Sequence, residues 1–334
     1  MTEHQQESLE GKQVLITGGL GFIGSNLARK CLEAGAAVTV YDCLDPHSGG
    51  NMSNIDDIKD QLTLSVNDIL NFEKLCESVI DKDLVVNCAA STSHAFSMRE
   101  PWVDQDVNSK AVINLLEAVR RFNPTVKLVH LGTTTQLGTL RYEPADEKHP
   151  EFPTDIYSAN KSVSEKYVLI YANSYNLRAT VLRLSNVYGP RASIHSPEFT
   201  FNNFFLGLAM QDKPITVYGE GNQLRNLIHV DDVVTAIEKT FLNPDTDGEV
   251  FFVTGDNHIS IAGIAAAIVE AAGKGEVKHI EWPAERKSTE FGNAIISNDK
   301  LKQATGWLPS IVLEEGLRET VAFYRDRLDE YLRK

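Results

Sequence analysis

Val14-Leu-Ile-Thr-Gly-Gly-Leu-Gly-Phe-Ile-Gly24, read with Asp42 further along the chain, decides the fold. Val14 to Ile16 is apolar in the manner of a parallel strand, and a helix is expected from Gly21 onward. Gly18 allows the tight turn, Gly21 lets the backbone approach a pyrophosphate, and Gly24 lets the helix pack close to the strand. The pyrophosphate is then expected on the open N–H groups and positive dipole end of that helix. A second strand, 37–41, leads to Asp42, whose carboxylate suits the adenosine ribose hydroxyls and repels a 2′-phosphate, favouring NAD(H) over NADP(H). A glycine-rich turn alone can be purely structural. Strand, helix and acidic residue together describe a dinucleotide site.

Strand-like and helix-like segments alternate from Gln13 to about Leu184. Strands are expected at 62–66, 84–88, 126–131 and 179–184, and helices at 71–80, 102–122 and 156–175. This rhythm predicts an α/β fold, a Rossmann doubly wound parallel sheet with a smaller C-terminal α/β substrate-binding lobe. The NAD-binding domain is read as 11–186, its sheet completed by parts of 226–256. Residues 187–225 and 257–334 mainly form the lobe. Beyond Asn186, helices are expected near 199–210, 230–242, 261–272 and 313–332, and strands at 215–218 and 250–253. The lobe is expected over the carboxyl edge of the sheet, where ligands of open α/β sheets bind.

Composition narrows the class. With 46 acidic against 32 basic residues, the formal net charge is −14, which argues against a nucleic acid partner. Cys31, Cys43, Cys76 and Cys88 lack CxxC spacing and read as reduced thiols, implying neither disulfides nor zinc. The opening MTEHQQESLE contains no apolar core, and no later run approaches the roughly 18 apolar residues of a membrane helix. A soluble, cytoplasmic protein with no membrane partner is expected.

Tyr157-Ser-Ala-Asn-Lys161 sets a phenol and an ammonium at i and i+4, on one face of a helix. A neighbouring cation favours the phenolate, which then serves as a general base. Such pairs are common by chance on surface helices, so the pair gains weight from its company. Gly132-Thr-Thr-Thr135 follows a strand, which brings a threonine hydroxyl to the sheet edge beside the same substrate oxygen.

The chain resembles the extended short-chain dehydrogenase/reductase superfamily, in its NAD-dependent nucleotide-sugar epimerase/dehydratase branch. TGGLGFIGSNL, Asp42, Asn67-Asp68-Ile69, Cys88-Ala-Ala90, Asp106-Val-Asn108, YSANK, LRLSNVYGPR and RNLIHVDD occur in order across nearly its whole length. The resemblance implies a catalytic trio of Thr133, Tyr157 and Lys161, with Tyr157 and Lys161 also at the nicotinamide ribose. It places Gly18, Gly21, Phe22, Ile23, Gly24, Asp42 and Asn108 with the cofactor, Asp68 and Ile69 at the adenine, Ala89 and Ala90 along the groove, and Val187 beside the nicotinamide. The substrate, a nucleotide-diphosphate sugar, falls to Thr134, Asn186, Asn203, Arg191 and Arg225, since a planar guanidinium can donate two parallel hydrogen bonds to a diphosphate. Arg225 is alternatively a partner of Asp231 or Asp232, Asn186 a turn cap, and Tyr218 either a stacking surface for a base or core filling. No metal is implied.

The residues after the active-site threonine separate the branch's reactions. Similar 4,6-dehydratases carry an Asp-Glu pair there, where this chain has Thr134 and Thr135, and a hydroxyl cannot replace a carboxylate as acid or base. Epimerisation at carbon 4 through a 4-keto sugar is therefore expected. A reductase or 2-epimerase of a nucleotide-linked 4-keto sugar is the alternative, ahead of a 4,6-dehydratase and of a non-catalytic dinucleotide-binding protein. Departures from the branch are Asn87-Cys88, where a histidine commonly precedes Ala-Ala, and Gln136-Leu137, where a tyrosine is usual before Gly138. His94, in an expected loop, reads as a bystander more often than a substrate contact. Relatives pair the helices near 102–122 and 156–175 into a homodimer, and Leu115, Leu116, Val119, Val163, Tyr167 and Ile170 offer apolar faces, unless packing on the sheet occupies them.

Overall fold

The computed structural model describes residues 8–283 and 292–332. Its strands are β1 (Gln13–Thr17), β2 (Ala37–Asp42), β3 (Thr63–Val66), β4 (Leu84–Asn87), β5 (Lys127–Thr133), β6 (Arg178–Leu184), β7 (Asn186–Tyr188), β8 (Pro214–Tyr218), β9 (Leu224–His229), β10 (Val250–Val253), β11 (His258–Ser260) and β12 (Glu276–Ile280). A seven-stranded sheet runs in the order β10-β6-β5-β4-β1-β2-β3, and every pairing in it is parallel. β1 lies between β2 and β4, so the chain winds outward in both directions from it. That leaves a crevice at the carboxyl ends of β1 and β4.

Alternation along each strand decides which layer it serves. Val14 and Ile16 face helices α1 (Phe22–Glu33) and α8 (Val230–Phe241) in one core. Leu15 faces the other way, into a core with α2 (Phe72–Val79), α5 (Ala111–Phe122) and α6 (Ile156–Tyr175). Strands covered on both faces must be apolar throughout, which is why QVLIT and LVVN lack a polar alternation. Leu115, Leu116 and Val119 are buried in this second core, so they face the sheet and are withdrawn from any partner surface. Val163 and Ile170 remain exposed.

The expected helix over 102–122 is interrupted. α4 (Pro101–Gln105) passes through a π turn at Asp106–Lys110 before α5 begins. Likewise the segment expected over 313–332 divides into helices Leu313–Arg325 and Leu328–Leu332. Unexpected elements are the short helix α3 (His94–Arg99), strand β12 beside β8, and a three-stranded sheet β11-β9-β7. With α7 (Phe201–Met210) and α9 (Ile261–Ala272), these strands build a third core around Tyr188, Ile215, Leu227 and Ile264. Part of the late chain returns to the first layer, where Leu301 and Trp307 are buried. The Tyr331 hydroxyl donates to the Asn54 side-chain oxygen (2.7 Å), and the Asn54 side-chain amide donates to the Leu20 carbonyl (2.8 Å) in the glycine turn. Among the described residues no helix is long and apolar enough to cross a membrane.

Glu165 on α6 and Arg183 on β6 form a buried pair, each nitrogen to oxygen contact being 2.6 Å. Burial pushes the Glu165 carboxyl up, but the Arg183 guanidinium and Lys166 hold it below its ordinary value. Glu165→Gln leaves that guanidinium undercompensated and is expected to cost about 3 kcal/mol in urea unfolding at pH 7. A depressed carboxyl stabilises above its unfolded pKa and loses that contribution as pH falls through the folded one. The gap between the two proteins should therefore narrow below about pH 4.

Candidate active site

The glycines of the first turn divide the work. Gly18 adopts φ +66°, and a Cβ there would stand 2.6 Å from the Ala89 backbone nitrogen; at Gly24 it would stand 2.4 Å from the Gly18 carbonyl oxygen. Close packing excludes a side chain at both. At Gly21 an added Cβ meets only Gly18 O, at 3.2 Å, within 4 Å, so this side of the turn stays open. Gly21 is also the N-cap of α1 and supplies no side-chain acceptor, which leaves the first-turn amides around Phe22 and Ile23 to a ligand. Asp42 ends β2 nearby, its two carboxylate oxygens accepting from the amides of Leu20 (3.0 Å) and Leu44 (2.8 Å). Each oxygen keeps a lone pair for a ribose hydroxyl. A dinucleotide fits these features: an uncapped helix end for the pyrophosphate and a fixed carboxylate for the ribose.

Ala89 and Ala90 are half-buried where β4 ends, beside the Gly18 turn, and Ile69 and Val187 are buried. Asp68 uses its carboxylate on the Leu70 amide (2.8 Å), and its carbonyl accepts from the Tyr41 hydroxyl (2.8 Å). Asn108 is buried and donates to the Ser91 carbonyl (2.8 Å), so it acts on the segment after Ala90 from behind.

α6 begins at Ile156 because Asp155 caps it, accepting from the Ser158 amide at 2.8 Å. That start puts Tyr157 and Lys161 on the buried first turns, at 8 % and 3 % exposure. Lys161 Nζ donates to the Leu131 carbonyl oxygen at 2.5 Å. Burial lowers its pKa to about 8, against the upward pull of Cys88, Asp104 and Glu165. Burial pushes the Tyr157 phenol up, and the Thr133 hydroxyl beside it draws it back down. Thr133 ends β5, and its hydroxyl lies 3.1 Å from that of Thr135, which in turn accepts from Ser158 at 2.9 Å. The trio thus meets at one sheet edge. Thr134 is half-buried on the turn that follows.

The expected substrate residues separate. Asn186 is half-buried at the start of β7. Asn203, on α7, donates to the Val187 carbonyl (3.1 Å) and the Thr200 hydroxyl (2.7 Å). Arg225 is 7 % exposed and donates to the carbonyls of Leu224 (2.9 Å) and Gly292 (2.7 Å). Arg191, with φ +73°, donates to Asn26 on α1 (2.9 Å), and its guanidinium lies over the Phe323 ring. Tyr218 packs against Trp282, ring centroids 5.3 Å apart. Trp282 also lines a crevice of about 370 Å³ with Glu220, Gly221, Gln223 and Asn293.

Several residues near the trio were given no role by the sequence reading. Asn87 accepts from Thr17 (2.6 Å) and pairs with His130 (3.0 Å), whose other nitrogen lies 3.3 Å from the Ser164 hydroxyl. Burial, with the Lys161 charge adding to it, keeps His130 neutral. Gln136 turns away to Glu165. His94 opens α3 rather than lying in a loop, and its ring stands edge to the Tyr157 ring at 4.8 Å. Asp155 announces itself as a helix N-cap, but its contact with His94 spans 61 residues and leaves no local signal.

The family model described as GDP-mannose 4,6 dehydratase matches residues 15–320. A dTDP-glucose 4,6-dehydratase from Streptomyces niveus is 29 % identical over 94 % of this chain and 93 % of its own. The structure of a UDP-glucose 4-epimerase from Thermotoga maritima with UDP-glucose is 29 % identical, with a TM-score of 0.85 over 95 % of this chain and 99 % of that one. A Thermus thermophilus UDP-glucose 4-epimerase in complex with NAD is also 29 % identical, with a TM-score of 0.83 over 94 % and 99 %.

The depressed ammonium of Lys161 has a measurable signature. Between pH 8 and about 10.4 the unfolded chain holds a proton at this residue that the folded chain has released, so stability rises with pH across that window. Lys161→Met removes the contribution. Urea unfolding at several pH values should show a shallower rise from pH 8 to 10 than in the unsubstituted protein; equal slopes would place the ammonium in an ordinary environment.

Proposed function

The chain belongs to the GDP-mannose 4,6-dehydratase family, the extended short-chain dehydrogenase/reductase enzymes that epimerise or dehydrate nucleotide sugars, and from that premise we propose that it epimerises a nucleoside-diphosphate hexose at carbon 4. The observation that carries this reading is the meeting of Thr133, Tyr157 and Lys161 beside the glycine cradle, with hydroxyls at both positions that follow. NAD, held by the α1 amides and Asp42, supplies a reversible hydride acceptor. The Lys161 cation favours the Tyr157 phenolate, which accepts the proton of the 4-hydroxyl while the Thr133 hydroxyl orients that oxygen. Return of the proton from Tyr157 and of the hydride to the opposite face, after the 4-keto sugar has turned over, completes an exchange with no net redox change.

Dehydration needs further groups, to remove the proton at carbon 5 and to protonate the departing 6-hydroxyl. Thr134 and Thr135 do not ionise near neutral pH, and the Thr135 hydroxyl is already engaged by Ser158 and Thr133. On this reading Arg225, with Asn186 and Asn203 nearby on β7 and α7, takes the diphosphate, and the crevice beside Trp282 gives room for the nucleobase. Arg191 stands further back on this reading, its guanidinium donating to Asn26 and lying over the Phe323 ring. We further infer a homodimer through α4 and α6, where Trp102 (79 % exposed), Val163, Ile170 and Tyr175 leave apolar surface uncovered.

Purified protein incubated with UDP-, dTDP-, GDP- and CDP-hexoses, without added cofactor, should give an isomer of unchanged mass by chromatography and NMR. A product lighter by one water would install a dehydratase, and turnover only with NADH and a 4-keto sugar would install the reductase. Tyr157→Phe should lower kcat at least a hundredfold while bound NAD is retained; full activity would refute the mechanism. Light scattering should show a dimer that Ile170→Glu converts to a monomer.

A further inference from the structure

His94 lies outside the trio but touches it. Its ring stands edge to the Tyr157 ring, centroids 4.8 Å apart, and its side chain is 43 % exposed while Tyr157 is buried. It is therefore a side chain that reaches from the buried phenol toward solvent, where a sugar on Tyr157 must lie. Two hydrogen-bonded links hold it in place. Nδ1 is 2.7 Å from an Asp155 carboxylate oxygen, and the other oxygen of that carboxylate caps the helix carrying Tyr157. The His94 carbonyl accepts from the Ser97 hydroxyl (2.8 Å), and that hydroxyl accepts from the Tyr157 amide (3.1 Å). A movement of His94 is thus tied to the start of α6. Its Nε2 carries no hydrogen bond to any described residue.

We propose that His94, held by Asp155, is a specificity-determining residue whose Nε2 hydrogen-bonds a hydroxyl on the sugar ring next to the carbon that Tyr157 serves. The inference rests on the nucleotide-sugar reading given above. The choice of a hydroxyl follows from the tautomer. Asp155 accepts at Nδ1, so that nitrogen keeps its proton whether the ring is neutral or charged. Nε2 then accepts in the neutral ring and donates in the cation, and of the groups a hexose carries only a hydroxyl answers both states. A keto oxygen or a carboxylate pairs with the cation alone. A fixed polar group of this kind rejects the analogue that lacks its partner more strongly than an apolar wall rejects an added group, because the nitrogen, once the bound sugar covers it from water, is left unmatched.

The rival role is purely mechanical, His94 fastening α3 to α6, and discrimination among sugars separates the two. His94→Phe keeps a ring against Tyr157 and removes the nitrogen; His94→Gln restores a group that donates and accepts. Affinity is read by calorimetry for UDP-, dTDP-, GDP- and CDP-glucose, for the matching nucleoside diphosphates, and for the 2-, 3- and 6-deoxy analogues of whichever sugar binds. The unsubstituted protein should bind the 3-deoxy analogue, which lacks the ring hydroxyl next to carbon 4, about tenfold or more weakly than the parent sugar, with the 2- and 6-deoxy analogues less affected. His94→Phe should bind the parent equally weakly and lose the discrimination, His94→Gln should recover part of it, and the diphosphate without sugar should bind all three proteins alike. Retained discrimination in His94→Phe, or a parallel loss of nucleoside-diphosphate affinity, overturns the assignment of His94 while leaving the nucleotide-sugar reading intact. Binding of the diphosphates but of no nucleotide sugar to the unsubstituted protein overturns both.

Discussion

An ammonium out of water is the constraint from which the rest of the site follows. Lys161 is almost wholly buried, and a buried cation needs a partner or it gives up its proton. Here the partner is a backbone carbonyl, that of Leu131, which only the strand next to α6 can offer. The need for this contact sets the height of α6 on the sheet, and with it the height of Tyr157 one turn earlier. Thr133 arrives at the phenol because it stands two residues beyond Leu131 on the same strand. His130, on that strand too, must stay neutral, since a second cation would be repelled. Its hydrogen bonds to Asn87 and Ser164 hold the neutral ring between two strands and a helix.

The parallel sheet and the helix that carries Tyr157 and Lys161 were legible because their signals are local. Short apolar runs mark β4 and β1, the latter between Gly11 and Gly18, and an aspartate N-cap fixes the start of α6, whose observed bounds, Ile156–Tyr175, match the expected ones. The cradle was legible for a similar reason, since the demand for glycine at positions 18 and 24 is written in a single turn. The β11-β9-β7 sheet was not, because strands of three residues show no period and their pairing is settled by the third core. The π turn at Asp106–Lys110 was hidden inside a helical pattern that one extra residue per turn does not disturb enough to see. Leu115 looked as suited to a partner helix as to the sheet. Which face wins depends on the rotation of α5, and apolar spacing alone leaves that rotation open.

The site residues divide along the same line. Tyr157 and Lys161 share a helix, so spacing reveals them. Arg191 has a left-handed backbone, and its guanidinium lies toward Asn26 on α1 and the Phe323 ring. The direction of a side chain is a property of the backbone angle, which the motif around it does not print. Asn87 is a change of partner of the same kind: an amide stands where relatives commonly have a histidine, and an imidazole waits for it on the next strand.

The link from Tyr331 through Asn54 to the Leu20 carbonyl joins segments far apart in the chain. Tyr331 and Asn54 are 277 residues apart, so the outer hydrogen bonds of the glycine turn close only when a late helix docks on the first layer. The cradle therefore shares the local stability of that helix, and fraying of the helix would loosen the turn from a distance.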